Sequence, residues 1–297
     1  MSSMDKKVFN VISLESGEPL DFEVNYYPHR QTSHKTPLLL AVHGFGQHTQ
    51  MFEPFFQKIQ SRKIFDCLTY NQRWHGPKFK NKDNVADIDL KLFSLDLCRI
   101  CEAINDEFPD RNLYLCGNSM GGSVILYAGI KFKKRFESLN IFGVLFENPY
   151  IQIHPKQASF SLKMMVSILG TIVPKLQVPA EVNHESISHD KDFCDSLLKD
   201  PNYQYQLNFK SAKNLLTMTN YIYSNLHNWP TSVPYSLHIS TEDKIVDPAA
   251  SNHFFDSTGT YHDYNRVIFY EGAFHTLKSE AKEWSDKFFD NVCYQIS

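Results

Sequence analysis

The chain has 297 residues, with 30 Lys and Arg against 33 Asp and Glu for a formal net charge of −3. That near balance excludes the basic footprint of a nucleic-acid binder, and 42% hydrophobic residues exclude a disordered tail, because a chain of this length buries a substantial core. The amino end lacks an apolar signal region and no window approaches the roughly 18 uncharged apolar residues of a membrane span, so the expectation is a cytoplasmic protein.

In chain order, Val8 to Ile12 and Phe22 to Tyr27 read as an opening pair of strands. Pro37-Leu-Leu-Leu-Ala-Val-His43 follows as a strand covered on both faces. A helix from Phe52 to Arg62, a strand from Phe65 to Asn71, a helix from Asp87 to Phe108 stopped by Pro109, a strand from Leu113 to Gly117 and a helix from Met120 to Lys133 come next. Gly143 to Glu147 is the sixth strand. Tyr235 to Ser240 and Arg266 to Tyr270 are two more, with helices over Pro248 to Phe255 and Thr276 to Val292. Alternating strands and helices imply βαβ crossovers and a mainly parallel sheet flanked by helices, an α/β fold. Residues 149–234 break the rhythm: they hold no convincing strand, and Phe160 to Val173 reads as an apolar helix. The expected organisation is therefore a core of residues 1–148 and 235–297 interrupted after the sixth strand by a helical cap.

Six cysteines are too few for a disulfide scaffold, and reduced thiols are expected. Cys98-x-x-Cys101 lies within a helical pattern, with no second cysteine or histidine pair to complete a metal site, so it reads as two small residues on a helix.

Gly117-Asn-Ser119-Met-Gly121 is a G-x-S-x-G match placed after a strand and before a helix, the context of a nucleophile elbow. The sharp turn strains the serine backbone and brings strand and helix so close that side chains at Gly117 and Gly121 would collide. A serine hydroxyl needs a base, and the base needs an orienting acid. Among 13 histidines, His275 follows the last strand, and Asp243 follows the strand before it. Adjacent parallel strands lie about 4.8 Å apart, so the two loop tips should be neighbours. The order Ser119, Asp243, His275 is that of α/β-hydrolases. Asp247 precedes Pro248 at a helix start and reads as a cap, and Glu242 as solvated. The loop His43-Gly-Phe45-Gly46 offers the Phe45 N–H to an oxyanion, with the Met120 N–H as its second donor. His43 is expected to be structural, and Arg73 and His75 to hold loops together.

Together, His43-Gly-Phe-Gly, Asn71-Gln-Arg-Trp-His-Gly, Gly117-Asn-Ser-Met-Gly-Gly, Asp243-Lys-Ile-Val-Asp-Pro and Glu271-Gly-Ala-Phe-His resemble the monoacylglycerol lipase family of α/β-hydrolases over most of the chain. The resemblance implies a serine ester hydrolase that cleaves lipid monoesters, monoacylglycerol first, through an acyl-enzyme on Ser119, with no metal or organic cofactor. Lysophospholipase, general carboxylesterase and alcohol acyltransferase use the same residues and stay open, as does a non-catalytic ligand-binding shell. Gln47, Met51 and Asn118 stand where family members usually carry Glu, often Arg, and His, a polar set associated with the glycerol head group.

The cap supplies the substrate expectation. Its helix is apolar round much of its circumference, a surface suited both to lining an acyl tunnel and to peripheral contact with a membrane or lipid droplet. Candidate substrate contacts are Gln47, Asn118, Phe160, Met164, Leu169 and Phe274, with the rings of Phe45, Phe160 and Phe274 expected to face the acyl pocket.

Overall fold

In the strand Leu38-Leu-Leu-Ala-Val42 every residue is buried, and alternate side chains enter opposite layers. Leu38, Leu40 and Val42 join one core cluster, and Leu39 and Ala41 the other. A strand apolar at every position is stable only where both sheet faces are covered, and this arrangement recurs across the molecule. The computed structural model describes residues 6–29, 31–62, 65–79, 87–179, 183–204 and 206–295.

The first half of the chain runs β1 (Lys7–Ser13), β2 (Leu20–Tyr27), β3 (Leu38–Val42), α1 (Glu53–Arg62), β4 (Asp66–Tyr70), α2 (Gly76–Phe79), α3 (Leu90–Glu107), β5 (Leu113–Asn118), α4 (Met120–Lys131), α5 (Lys133–Glu137) and β6 (Ile141–Glu147). The second half runs α6 (Phe160–Ile172), β7 (Gln177–Pro179), α7 (Lys191–Lys199), β8 (Gln206–Asn208), α8 (Phe209–Ser224), β9 (Tyr235–Ser240), α9 (Pro248–Thr258), β10 (Arg266–Tyr270) and α10 (Lys282–Gln295). Eight strands form one sheet in the order β1-β2-β4-β3-β5-β6-β9-β10, parallel from β4 to β10, with β2 antiparallel to both neighbours. On one face α1 and α10 bury Phe55, Phe56, Ile59, Phe288, Phe289 and Val292; on the other α3, α4 and α9 bury Leu97, Ile100, Val124, Ile125 and Phe254.

Three differences from the sequence expectations have physical causes. The segment between β6 and β9 contains a small antiparallel pair, β7 with β8, too short at three residues each to leave a periodic signal. Core packing also begins before residue 235: Ile222, Leu226 and Trp229 are fully buried in the same cluster as the sheet, so the end of α8 and the turn after it are anchored in the core. Finally, the last helix begins at Lys282 rather than Thr276, because residues 275–281 form a turn in which His275 O, Thr276 N, Lys278 N and Ser279 O bond to other segments. All six cysteines are buried, and burial pushes Cys98 up to about 12. Among the described residues no helix is long and apolar enough to cross a membrane.

Candidate active site

Ser119 stands between the end of β5 and the first residue of α4 with φ 51° and ψ −119°, a conformation rare for a residue with a side chain. Three things enforce it. Ser119 N donates to Glu147 O at 3.0 Å, Tyr150 N donates to Ser119 O at 3.0 Å, and α4 runs so close to β3 that a Cβ on Gly121 would lie 2.0 Å from Val42 O. Gly117 is crowded from the other side, its notional Cβ 2.9 Å from Gly122 N. The turn therefore needs glycine on both flanks and aims the Ser119 side chain away from the sheet, at the N-terminus of α4 where free N–H groups favour negative charge.

Two loops bring the partners. His275 Nδ1 donates to Asp243 Oδ2 at 2.6 Å, and Asp243 Oδ1 accepts from Ile245 N at 2.8 Å and Val246 N at 3.0 Å. The carboxylate is thus fixed by backbone donors, is almost fully buried, and holds the imidazole with Nε2 outward. β9 and β10 pair in parallel, which is why these loop tips adjoin. Asp247, by contrast, accepts from Ala249 N at 3.0 Å and caps α9. Glu242 is exposed.

Ser119 and His275 open into one cavity of about 270 Å³, which is also lined by Phe45, Gln47, Asn118 and Met120. The loop carrying Phe45 is closed by Gly44 N donating to Gln47 Oε1 at 3.1 Å and turned by Gly46 at φ 76°. Beneath it, His43 Nε2 accepts from Gln72 N at 3.0 Å while Nδ1 faces Gly44 O at 2.8 Å. Burial first, then the neighbouring His75, holds His43 well below the usual histidine value, and burial lowers His75 to about 4. Both rings are neutral scaffolding. Arg73 binds Asp96 through two guanidinium nitrogens and Ser16 Oγ at 3.1 Å, tying the same loop to the β1 end.

Phe160, Met164, Leu169 and Phe274 do not line this cavity, which corrects their expected placement. The cap helix turns a different face inward: Leu162, Lys163 and Val166 line the cavity, while Phe160 is 81% exposed and Met164 is 51% exposed. Leu169 is half-buried outside the cavity. Phe274 stacks on His189 at 3.7 Å between ring centroids, with Lys244 Nζ 4.3 Å from its ring, and so turns towards the cap loop. Among the remaining walls, Tyr150, Ile187, Leu197, Tyr203 and Leu216 carry no sequence signal beyond apolar bulk.

A doubly covered, mainly parallel sheet carrying a strained serine elbow beside a histidine and aspartate on the following loops defines an α/β-hydrolase. The chain belongs to the serine aminopeptidase S33 family (Hydrolase_4), which it matches over residues 33–282. It is 26% identical over 271 residues to a putative monoglyceride lipase of Schizosaccharomyces pombe, covering 87% of this chain and 66% of that one. It is 20% identical over 261 residues to human monoglyceride lipase, covering 88% and 82%. Its fold superposes on a soluble variant of Saccharomyces cerevisiae monoglyceride lipase, solved with a substrate analogue, with a TM-score of 0.84 at 19% identity, covering 99% of this chain and 94% of that one.

Proposed function

We propose that the protein is a serine ester hydrolase that releases the fatty acid from lipid monoesters, monoacylglycerol first among them. The observation that carries the reading is a strained serine and an aspartate-held histidine opening into one largely apolar cavity, the combination an acyl ester needs. Ser119 Oγ attacks the ester carbonyl as His275 Nε2 takes its proton, and Asp243 stabilises the imidazolium that forms. The Phe45 and Met120 N–H groups receive the oxyanion. The imidazolium then returns its proton to the departing alcohol, and water activated by the same histidine frees the acid from Ser119.

The similarity to monoglyceride lipases supports this substrate class, and the part of residues 149–234 that lines the cavity, from Tyr150 to Leu216, acts as the cap over the acyl chain. Gln47 and Asn118 face the alcohol end. One observation favours a second substrate class: Lys163 lines the cavity without a carboxylate partner among the described residues, which suits a phosphate-bearing head group, as in a lysophospholipid. The exposed apolar side of α6 is the proposed contact with a lipid surface.

A fluorophosphonate probe should label the wild-type protein and fail to label Ser119→Ala; persistent labelling of that variant defeats the nucleophile assignment. Hydrolysis rates on monooleoylglycerol and oleoyl lysophosphatidylcholine then rank the two substrate classes, and product analysis with added alcohol identifies any acyl transfer.

A further inference from the structure

The last residue of β6, Glu147, and the residue after it, Asn148, contact every segment that bears a member of the Ser119, His275 and Asp243 set. Glu147 O accepts from Ser119 N at 3.0 Å. Its carboxylate accepts from Lys278 N at 3.0 Å through Oε1 and pairs with Lys278 Nζ at 3.1 Å through Oε2. Asn148 Nδ2 donates to His275 O and to Ser240 Oγ, both at 2.8 Å, and Oδ1 accepts from Ser240 N at 2.8 Å. Both side chains are 1% exposed, as expected for polar groups buried only when fully partnered. Asn148 holds φ 42°, a left-handed conformation in which asparagine is among the few tolerated side-chain-bearing residues.

From this arrangement we infer that Glu147-Asn148 is a positioning clamp that sets the His275 turn against the serine elbow. The turn from 275 to 278 is gripped at both ends, at its first carbonyl by Asn148 and at its last N–H by Glu147, while the backbone of the same dipeptide holds the elbow. His275 has no helix or strand of its own to fix it, because the last helix starts only at Lys282. Without the clamp its imidazole keeps Asp243 but loses register with Ser119. Neither side chain touches substrate, so the defect falls on the chemical step and leaves binding intact.

The inference rests on the serine hydrolase reading, and the tests separate the two. Asn148→Gly permits the left-handed backbone and removes the whole side chain with its carboxamide; Asn148→Asp keeps shape and acceptor but cannot donate to the His275 carbonyl when ionised. With monooleoylglycerol each folded variant should lose about tenfold to a hundredfold in kcat, with KM within about twofold and Ser119 labelled more slowly by the phosphonate in the same proportion. Wild-type kcat in either folded variant overturns the clamp, as does a KM increase that accounts for the whole loss. Persistent labelling of Ser119→Ala would instead overturn the hydrolase reading, whatever Asn148 does.

Discussion

The elbow concentrates its constraints in single atoms. Gly121 lies against the carbonyl of Val42 in a central strand buried on both faces, and backbone there cannot retreat. Gly121→Ala should therefore cost about 3 kcal/mol or more, read as a lowered midpoint in urea unfolding with an unchanged slope. Asn118, immediately before the serine, is the opposite case: its Nδ2 and Oδ1 are buried with no protein partner among the described residues. Leaving such groups unpaired costs about 1–3 kcal/mol, whereas an apolar side chain of similar shape removes the penalty. Asn118→Leu should thus raise the thermal midpoint and lower turnover of monooleoylglycerol, and a variant stabilised with full activity would exclude Asn118 from the alcohol end. Gly121 was readable from the G-x-S-x-G spacing alone, because a turn this sharp admits few residue types, whereas Asn118 stood out only through the family resemblance. Glu147 and Asn148 were not readable, since the partners of their side chains lie between 92 and 131 positions away and nothing local marks them.

At the scale of elements, the segment from 183 to 204 is fastened on two sides of the cavity by histidine–carboxylate pairs. His189 Nδ1 meets Glu280 Oε1 at 2.8 Å with its ring between Phe274 and Trp284, and His48 Nε2 meets Asp200 Oδ2 at 2.8 Å beside the Phe45 loop. Glu280 also accepts from the backbone of Phe274, His189 and Ala281. Desolvation pushes its carboxyl up, but these donors outweigh it and leave the group below the ordinary glutamate value of 4.5. A depressed carboxyl stabilises the folded state at pH above that ordinary value, and the contribution disappears as pH falls through the lowered one. The thermal midpoint of wild type should therefore exceed that of Glu280→Gln at neutral pH, and the gap should narrow as the solution is taken below about pH 4.5. A gap independent of pH would show that the charge is not what fastens the segment. The strands and the long helices were legible because their apolar residues repeat cleanly. The inward face of α6 was not: Phe160, Met164 and Ile168 are as apolar outside as Leu162 and Val166 are within, and periodicity distinguishes faces only when one of them is polar.

That apolar exterior gains meaning only in the whole molecule. The sheet order places the ends of β5, β9 and β10 on one edge, the segment between β6 and β9 lies over that edge, and the cavity reaches α6 through Leu162 and Val166. On its other side α6 and the residues after it expose Phe160, Met165, Ile168, Ile172 and Leu176, with Ile172 at 70% and Leu176 at 57%. A run of large side chains in water is costly unless it meets an apolar phase, and here it sits directly above a cavity suited to an acyl chain. A lipid surface covering this side would bury it and shorten the path of a monoester from its bilayer to Ser119. Ile172→Asp and Leu176→Asp, both on exposed positions, should leave the fold and the hydrolysis of a soluble p-nitrophenyl ester intact. The same substitutions should reduce cosedimentation with phosphatidylcholine vesicles and slow hydrolysis of monooleoylglycerol held in them. Equal loss on the soluble ester would place the defect in the cavity, and unchanged cosedimentation would remove the lipid surface as the partner of this face.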